Sequence, residues 1–175
     1  KSLAGQPDKM LALEMGGNNA LIIDQVADES AAVYTIIQSA FISAGQRCTC
    51  ARRLIVVKSV ANKSLVKRLI EATEKIKVGS DDSCFIGPVV SNAAADGAMA
   101  FQAELLSAGA KSLLAMSRDD ASRPFIQPGL IDVTGTSGIV DEECFGPLLQ
   151  IQWVDDLQAA VEVANSTRYG LSAGL

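Results

Sequence analysis

The sequence of 175 residues contains no histidine, and this absence excludes several kinds of active site. A Cys-His or Ser-His hydrolase cannot be built from this chain alone, because both need an imidazole as general base. Histidine is also the commonest metal ligand. The closest pair of cysteines, Cys48 and Cys50, has a single residue between its thiols, whereas zinc sites commonly place about two to four there. We therefore expect no metal site.

Cysteines and long apolar runs are scarce as well. Four scattered cysteines are too few for a disulfide scaffold. No run approaches about 18 consecutive apolar residues, and the first residues lack the apolar centre of a signal peptide, so we expect a cytoplasmic protein without a membrane partner. The 15 basic residues are outnumbered by 20 acidic ones, and the resulting net charge of −5 argues against a nucleic-acid partner.

The remaining composition is typical of one soluble globular domain. Apolar residues make up 49% of the chain and charged residues 20%, and the length suffices for a hydrophobic core. The sequence starts at Lys1 rather than at a methionine and stops directly after an apolar run. We therefore expect it to be a piece of a longer protein.

Apolar periodicity predicts strands that alternate with helices. The spacing predicts strands at 10–14, 21–23, 54–57, 113–115, 130–133 and 149–154. It predicts helices from the cap Asp28 to Gly45, over a second amphipathic stretch closed by Gly79, from Ser91 to Ala108, and over about 156–164. Such alternation predicts an α/β domain with a largely parallel sheet.

Two glycine-bearing segments contain the residues best suited to chemistry. Cys48 lies in Gly45-Gln46-Arg47-Cys48-Thr49, just past a predicted helix, and Glu14 precedes Gly16-Gly17. They could serve as a nucleophile and a general base, and glycine lets the backbone approach a ligand closely. Each also has an ordinary interpretation: a cysteine after a helix is more often a small buried apolar side chain, and such a glutamate is often solvated or ion-paired.

Together with three further segments, these two resemble the aldehyde dehydrogenase superfamily. The further segments are Pro128-Gly129-Leu130-Ile131, Glu142-Glu143-Cys144-Phe145-Gly146-Pro147 and Ala164-Asn165-Ser166-Thr167-Arg168-Tyr169-Gly170-Leu171-Ser172. They follow the order and spacing of that family over nearly the whole chain. The resemblance implies the family's α/β catalytic domain for residues 16–175, truncated at its C-terminus, and the end of the cofactor-binding domain for residues 1–15.

The resemblance also assigns roles to individual residues. It implies that Cys48 is the nucleophile, that its backbone N–H is one oxyanion donor, and that Glu14 is the general base that activates water. It further implies that Glu143 holds the nicotinamide ribose and that Phe145 flanks the nicotinamide. From the residues alone, Glu143 in its acidic run is as readily part of a solvated face. Cys50, Cys84 and Cys144 match no functional position.

The family uses NAD(P), so the resemblance implies this coenzyme, with NAD favoured and NADP not excluded, and a small aldehyde substrate in a homo-oligomeric parent enzyme. The Gly-rich turn for the pyrophosphate would lie before Lys1, so we expect the piece alone to be inactive or nearly so. The fuller strings around Glu14 and Cys48 are similar to the branch that oxidises N-succinylglutamate 5-semialdehyde in bacterial arginine catabolism.

Several alternatives stay open at this point. The substrate could be another semialdehyde, or the acyl group could pass to coenzyme A rather than to water, although Glu14 argues for hydrolysis. The chain could also be a non-catalytic domain. Arg47, Arg52 and Arg53 could bind substrate carboxylates in a bidentate manner or could form surface ion pairs. Arg47 is our candidate substrate-binding residue.

Overall fold

A computed structural model describes residues 5–6 and 8–175. In this part of the chain, one sheet of six strands is flanked by four helices. In chain order the elements are β1 (Asn19–Ile23), α1 (Glu29–Phe41), β2 (Ala51–Val57), α2 (Val60–Glu74), α3 (Asn92–Ser107), β3 (Lys111–Leu114), β4 (Gly129–Asp132), β5 (Leu148–Val154), α4 (Leu157–Asn165) and β6 (Ala173–Gly174).

The sheet has the strand order β3-β4-β5-β2-β1-β6, and every neighbouring pair is parallel except β3 with β4. This confirms the predicted α/β class with a largely parallel sheet. Strand β2 lies between β5 and β1, and all of its apolar residues from Leu54 to Val57 are buried. A continuous apolar run is what a parallel strand covered on both faces requires.

The two faces of the sheet carry different helices. On β2, Leu54 and Val56 pack into the larger core with α1, α2 and α3, whereas Ile55 packs into a smaller core with α4. Side chains alternate between the faces of a strand. The consecutive residues Arg52 and Arg53 at the start of β2 therefore lie on opposite faces, Arg52 towards the larger core and Arg53 towards α4.

Side-chain caps set where the helices begin. The Asp28 carboxylate accepts from two backbone N–H groups of the first turn of α1, and Ser91 and Asp156 accept one each at α3 and α4. The caps at Asp28 and Ser91 confirm the predicted starts. Gly109, with φ of +99°, follows the end of α3 as expected for a residue that terminates a helix.

Two helices end earlier than the sequence predicts. Helix α1 stops at Phe41 rather than at Gly45, because the backbone then enters the left-handed region. Helix α2 stops at Glu74, where the N–H groups of the next two residues bond back to Ala72 and Thr73 and close the last turn. The chain beyond it reaches Gly79 in an irregular conformation.

The predicted strand at 10–14 is wrong. Residues 9–18 form neither helix nor strand, and the side chains of Met10, Leu11 and Leu13 are exposed, that of Met10 by 94%. A strand is held by the backbone hydrogen bonds of a neighbour, and no described strand pairs with this segment. In contrast, the two-residue strand β6 escaped prediction because its formation depends on β1, to which it is paired.

Candidate active site

The residues with predicted roles converge on the amino ends of three neighbouring strands. Cys48 is half-buried in a turn just before β2, Asn18 leads into β1 and Asn19 is its first residue, and Gly146 and Pro147 lead into β5. Because β1, β2 and β5 are adjacent and parallel, their amino ends share one edge of the sheet. Ligands of open α/β sheets usually bind at the carboxyl ends of the strands. This site differs, because it is formed by the loops that enter the strands at their amino ends.

A left-handed turn delivers Cys48 to that edge. Directly after α1, Ser43, Ala44 and Gly45 have φ values of 55°, 56° and 68°. Non-glycine residues rarely adopt this region, and each costs on the order of 1–2 kcal/mol. At Gly45 a side chain is also excluded by space, because a Cβ atom there would run into the carbonyl group of Gly146. The turn therefore carries strain that its surroundings must hold.

The buried guanidinium of Arg52 is hydrogen-bonded to two carbonyl groups of this turn and the Cys48 loop. Its Nη1 donates to the carbonyl oxygen of Gly45, and its Nη2 donates to that of Arg47 at 2.9 Å. The same Nη2 lies 3.7 Å from a carboxylate oxygen of Glu143, and the guanidinium carbon lies 5.3 Å from the centre of the Phe145 ring. One cation thus contacts both the Cys48 loop and the segment predicted to bind the coenzyme.

The Asn19 amide holds the other half of the loop. Its Nδ2 donates to the carbonyl oxygens of Cys48 at 2.6 Å and of Cys50 at 2.9 Å, while its Oδ1 accepts from the backbone N–H of Ser172. Together with Arg52, it engages four of the carbonyl groups between residues 45 and 50. The backbone N–H of Cys48 has no acceptor among the described residues, so it is available to a ligand.

Glu143 reaches the same place from the segment before β5. Its Oε2 accepts from the backbone N–H of Gly17 at 3.1 Å, and only 8% of its side chain is exposed. Its Oε1 is buried without a hydrogen-bond partner in the described structure. A Cβ atom at Gly16 would collide with the carboxylate, so this glycine is needed for the close approach. The ring of Phe145 is 44% exposed beside it.

Glu14, by contrast, is fully on the outside of the described structure. Its side chain is exposed and makes no hydrogen bond or ion pair with another described residue. Gly17, three positions later, lies against the Cys48 carbonyl, since its Cβ would be 3.0 Å from that oxygen. Three residues span at most about 10 Å. Glu14 is therefore tethered near Cys48 without contacting it.

Of the three neighbouring arginines, only Arg47 has an exposed side chain. Its Nε donates to the Ser43 hydroxyl at 3.0 Å, within the left-handed turn. Arg53 donates to the carbonyl oxygen of Asn18 and to those of Val163 and Ala164 at the end of α4. Burial lowers the pKa of Arg53, and the nearby charge of Asp141 opposes this shift. Arg52 and Arg53 are thus engaged inside the protein.

The carboxylate of Asp141 ties three segments together beside the site. It accepts from the Asn18 amide at 2.8 Å, from the Thr167 hydroxyl, and from the backbone N–H of Arg168 at 2.8 Å. Burial favours its neutral form, but these hydrogen bonds and the charge of Arg53 outweigh that effect and hold the pKa of Asp141 below its ordinary value.

Cys50 and Cys144 are buried, whereas Cys48 and Cys84 are half-buried. Cys144 is buried, and burial raises the pKa of its thiol to about 11, with Arg52 opposing the shift and Glu143 adding to it. Cys50 is 2% exposed, and its thiol donates to the Ile42 carbonyl oxygen. A thiol with so high a pKa as that of Cys144 is protonated and inert at neutral pH.

Reasoning from the sequence missed the parts played by Arg52, Asn19 and Asp141. One signal was present: two consecutive arginines open a strand that is otherwise apolar, and a charge in such a strand must find a partner when it is buried. Nothing comparable marked Asn19 or Asp141, because their partners are distant in sequence and are brought close only by the fold.

Two features are missing from residues 5–6 and 8–175. No helix in these ranges combines the length and the apolar character needed to cross a membrane. Nor do their cysteine, aspartate and glutamate side chains gather in groups of three or more that could hold a metal ion.

Comparison with known proteins identifies the family. The profile of the Aldehyde dehydrogenase family matches residues 1–175. N-succinylglutamate 5-semialdehyde dehydrogenase of Pseudomonas fluorescens (strain Pf0-1) is 56% identical over 178 residues, covering 100% of this chain and 36% of that protein. Its counterpart in Ectopseudomonas mendocina (strain ymp) is 54% identical over 98% of the chain. The chain therefore spans just over a third of the length of these relatives.

Solved structures agree with the sequence comparison. The 1-pyrroline-5-carboxylate dehydrogenase from Thermus with bound NAD superposes with a TM-score of 0.83 at 32% identity, over 92% of this chain and 31% of the Thermus chain. The fold of this chain is thus shared by a solved structure. On the profile match over its whole length and the identity to its relatives, the chain belongs to the aldehyde dehydrogenase family.

Proposed function

We propose that this chain is the nucleophile-bearing part of an enzyme that oxidises N-succinylglutamate 5-semialdehyde to N-succinylglutamate with a nicotinamide coenzyme. The observation that carries the proposal is the Cys48 loop. Its carbonyl groups are held by Arg52 and Asn19, while the Cys48 N–H has no acceptor among the described residues. The names of the two relatives supply the substrate.

The chemistry starts at the sulfur of Cys48. Its thiolate attacks the aldehyde carbon and forms a thiohemiacetal, whose oxygen carries the developing negative charge. The backbone N–H of Cys48 is suited to stabilise that oxygen, because its position is fixed before the substrate arrives. Loss of a hydride from the same carbon then leaves a thioester on Cys48.

Glu14 has the role of completing the reaction. A carboxylate removes a proton from water, the resulting hydroxide attacks the thioester carbon, and the carbon–sulfur bond breaks to release the acid and the Cys48 thiolate. The tether through Gly17 keeps Glu14 within about 10 Å of the loop. In its exposed position the base has no fixed geometry, so the role requires surroundings that order the segment.

A nicotinamide coenzyme fits two of the residues present. When bound, it supplies the acceptor for the hydride. The Oε1 atom of Glu143 is buried 3.7 Å from Arg52 without a hydrogen-bond partner in the described structure, so the carboxylate would have to turn outward to accept from a ribose hydroxyl, and the half-exposed ring of Phe145 could flank the nicotinamide. We propose NAD as the coenzyme in the complete enzyme; NADP would use the same two residues.

The exposed segment at the amino end supports a domain division. Met10, Leu11, Leu13 and Met15 each expose at least 60% of their surface. Apolar side chains in such a series are ordinarily covered by another part of a protein. We propose that residues 1–15 belong to the end of the cofactor-binding domain and residues 16–175 to the catalytic domain, within a homo-oligomeric enzyme.

The substrate carries two carboxylates remote from its aldehyde group, and Arg47 is the exposed cation nearest the nucleophile in sequence. Arg47→Met should raise the KM for the dicarboxylate semialdehyde roughly tenfold, as expected for one lost charge-assisted hydrogen bond. The kinetics with propanal, which has no carboxylate, should not change. An unaltered KM for the dicarboxylate would exclude Arg47 from substrate binding.

The activity can be tested by grafting. The chain replaces the matching stretch of the Pseudomonas fluorescens relative, and reduction of NAD is followed with N-succinylglutamate 5-semialdehyde. Cys48→Ser should lower kcat by about 1,000-fold or more, as loss of a nucleophile does elsewhere. Cys84→Ser, at a cysteine whose thiol contacts Asp81 rather than the Cys48 loop, is the control and should retain activity. A Cys48→Ser graft as active as the Cys84→Ser graft would overturn the proposal.

Glu14→Gln in the same graft separates hydrolysis from transfer to coenzyme A. It should give a burst of one reduced coenzyme per active site followed by slow turnover, because the thioester forms but is not hydrolysed. Turnover that requires coenzyme A, and that Glu14→Gln leaves unchanged, would instead identify an acyl-transferring enzyme.

A further inference from the structure

Arg52 has contacts that neither its strand nor the proposed chemistry accounts for. It is among the largest fully buried side chains of the described protein, with 1% of its surface exposed. Burying a guanidinium is unfavourable unless its charge and N–H groups are satisfied. Its partners are two carbonyl oxygens, one carboxylate and one aromatic ring, and all four lie within the Cys48 loop or the segment 143–145. Its Nε is buried without a hydrogen-bond partner among the described residues.

The two carbonyl groups that Arg52 contacts belong to the strained turn and to the residue before Cys48. Gly45 ends the left-handed run that begins at Ser43, and Arg47 immediately precedes the nucleophile. The N–H of Cys50 also bonds to the Arg47 carbonyl, which closes the turn around Cys48. Strained backbone persists only where its surroundings over-determine it. A bidentate donor across the strained turn is suited to that purpose.

We infer that Arg52 is a positioning residue that clamps the strained turn and the Cys48 loop, and that it aligns Glu143 with them as one unit. The clamp fixes the Gly45 and Arg47 carbonyls inward, so the Cys48 N–H stays outside this network. The ion pair with Glu143 fixes the carboxylate that borders Gly17. The mechanistic consequence for Cys48 rests on the proposed function, whereas the clamp itself does not.

Arg53 is a matched control. It is the next residue of β2, it is also engaged with main-chain carbonyl groups, and it lies on the opposite face, where it holds the end of α4. None of its hydrogen bonds involves residues 43–50. Because Arg53 also donates to the carbonyl oxygen of Asn18, its loss should loosen the end of α4 and the entry into β1, without removing a hydrogen bond to residues 43–50.

The test compares Arg52→Met, Arg52→Lys and Arg53→Met in the 175-residue chain by hydrogen exchange and thiol alkylation. In Arg52→Met, amide exchange in peptides covering 43–50 should rise at least about tenfold, beyond any general increase. Arg52→Lys keeps the charge but cannot bridge both carbonyls, so it should restore protection only in part. Arg53→Met should raise exchange around 163–165 and leave 43–50 protected.

The chemical readout is the rate at which limiting iodoacetamide modifies Cys48 relative to Cys50, Cys84 and Cys144, mapped on peptides. Arg52→Met should abolish a preference for Cys48 that Arg53→Met retains, and Arg52→Lys should recover part of it. Misplacement by about 1 Å can cost a reacting group about 100-fold in rate, so the change should be large.

The outcomes separate the two proposals. If exchange in 43–50 is the same in Arg52→Met and Arg53→Met, or rises equally in every peptide, the clamp is wrong. Should Arg52→Met not fold, Arg52→Lys decides, because full loop protection in that variant would exclude a bidentate role. If the clamp is seen but Cys48 has no preference in the unaltered chain, the inference about the loop stands, and the Cys48→Ser graft decides the role of Cys48.

Discussion

The two halves of the proposed chemistry differ sharply in how much of their surroundings this chain supplies. The Cys48 loop is held through its carbonyl groups by Arg52 and Asn19, over a strained turn that begins at Ser43. The segment with Glu14 has exposed side chains, and the glutamate has no described partner. A nucleophile needs a fixed direction of attack, whereas the base acts later and can be ordered by other parts of an enzyme.

A substitution at Gly45 should have the largest effect on the part of the site that contains the Cys48 loop. Gly45→Ala places a Cβ against the Gly146 carbonyl and strains a residue with φ of +68°, so it should lower the free energy of unfolding by roughly 3–5 kcal/mol. Gly138→Ala, where φ is +76° and nothing lies within 4 Å, has the backbone strain alone and should cost about 1–2 kcal/mol. Denaturant unfolding measures both.

Equal losses for these two variants would mean that the contact with Gly146 relaxes freely. The Cys48 loop would then be less rigid than its contacts indicate. The contrast between this loop and the exposed segment that contains Glu14 would be smaller.

Two isosteric changes sharpen the comparison directly. Glu143→Gln removes the charge that faces buried Arg52 and should cost roughly 2–3 kcal/mol of unfolding free energy. Glu14→Gln in the same chain should change it by less than about 0.5 kcal/mol, since the side chain is exposed and unbonded. Chemical unfolding of both variants at neutral pH tests this. A comparable loss for Glu14→Gln would show that Glu14 is held in place within this chain.

Asp141 offers a smaller effect with a defined pH dependence. Its folded pKa lies below the ordinary carboxyl value of about 3.9, so its contribution is complete above that value and is lost as pH falls through the folded pKa. Asp141→Asn should therefore lower stability by roughly 1–2 kcal/mol at pH 7. The difference from the unaltered chain should shrink on acidification towards pH 3, and a constant difference across this range would contradict the assignment.

Local patterns made much of the fold predictable. The caps at Asp28 and Ser91, the stop at Gly109, and the alternation of apolar runs all act through neighbours a few residues away. The predictions failed where distant partners decide. The apolar run at 10–14 has β character but finds no neighbouring strand among the described residues, and α1 ends at Phe41, before a turn whose Gly45 carbonyl oxygen accepts from Arg52 of β2.

The sequence by itself determined the α/β class, the position of Cys48 in the loop after α1, and the motifs of the aldehyde dehydrogenase family, since all of these depend on local order along the chain. Only the tertiary structure decided that Arg52 and Arg53 are engaged inside the protein while Arg47 is exposed, because partners of the two strand arginines, such as Glu143 and Val163, lie far away in the sequence. Likewise, the meeting of Gly17, Glu143 and the Cys48 loop required parallel strands to align their amino ends, which no local spacing specifies.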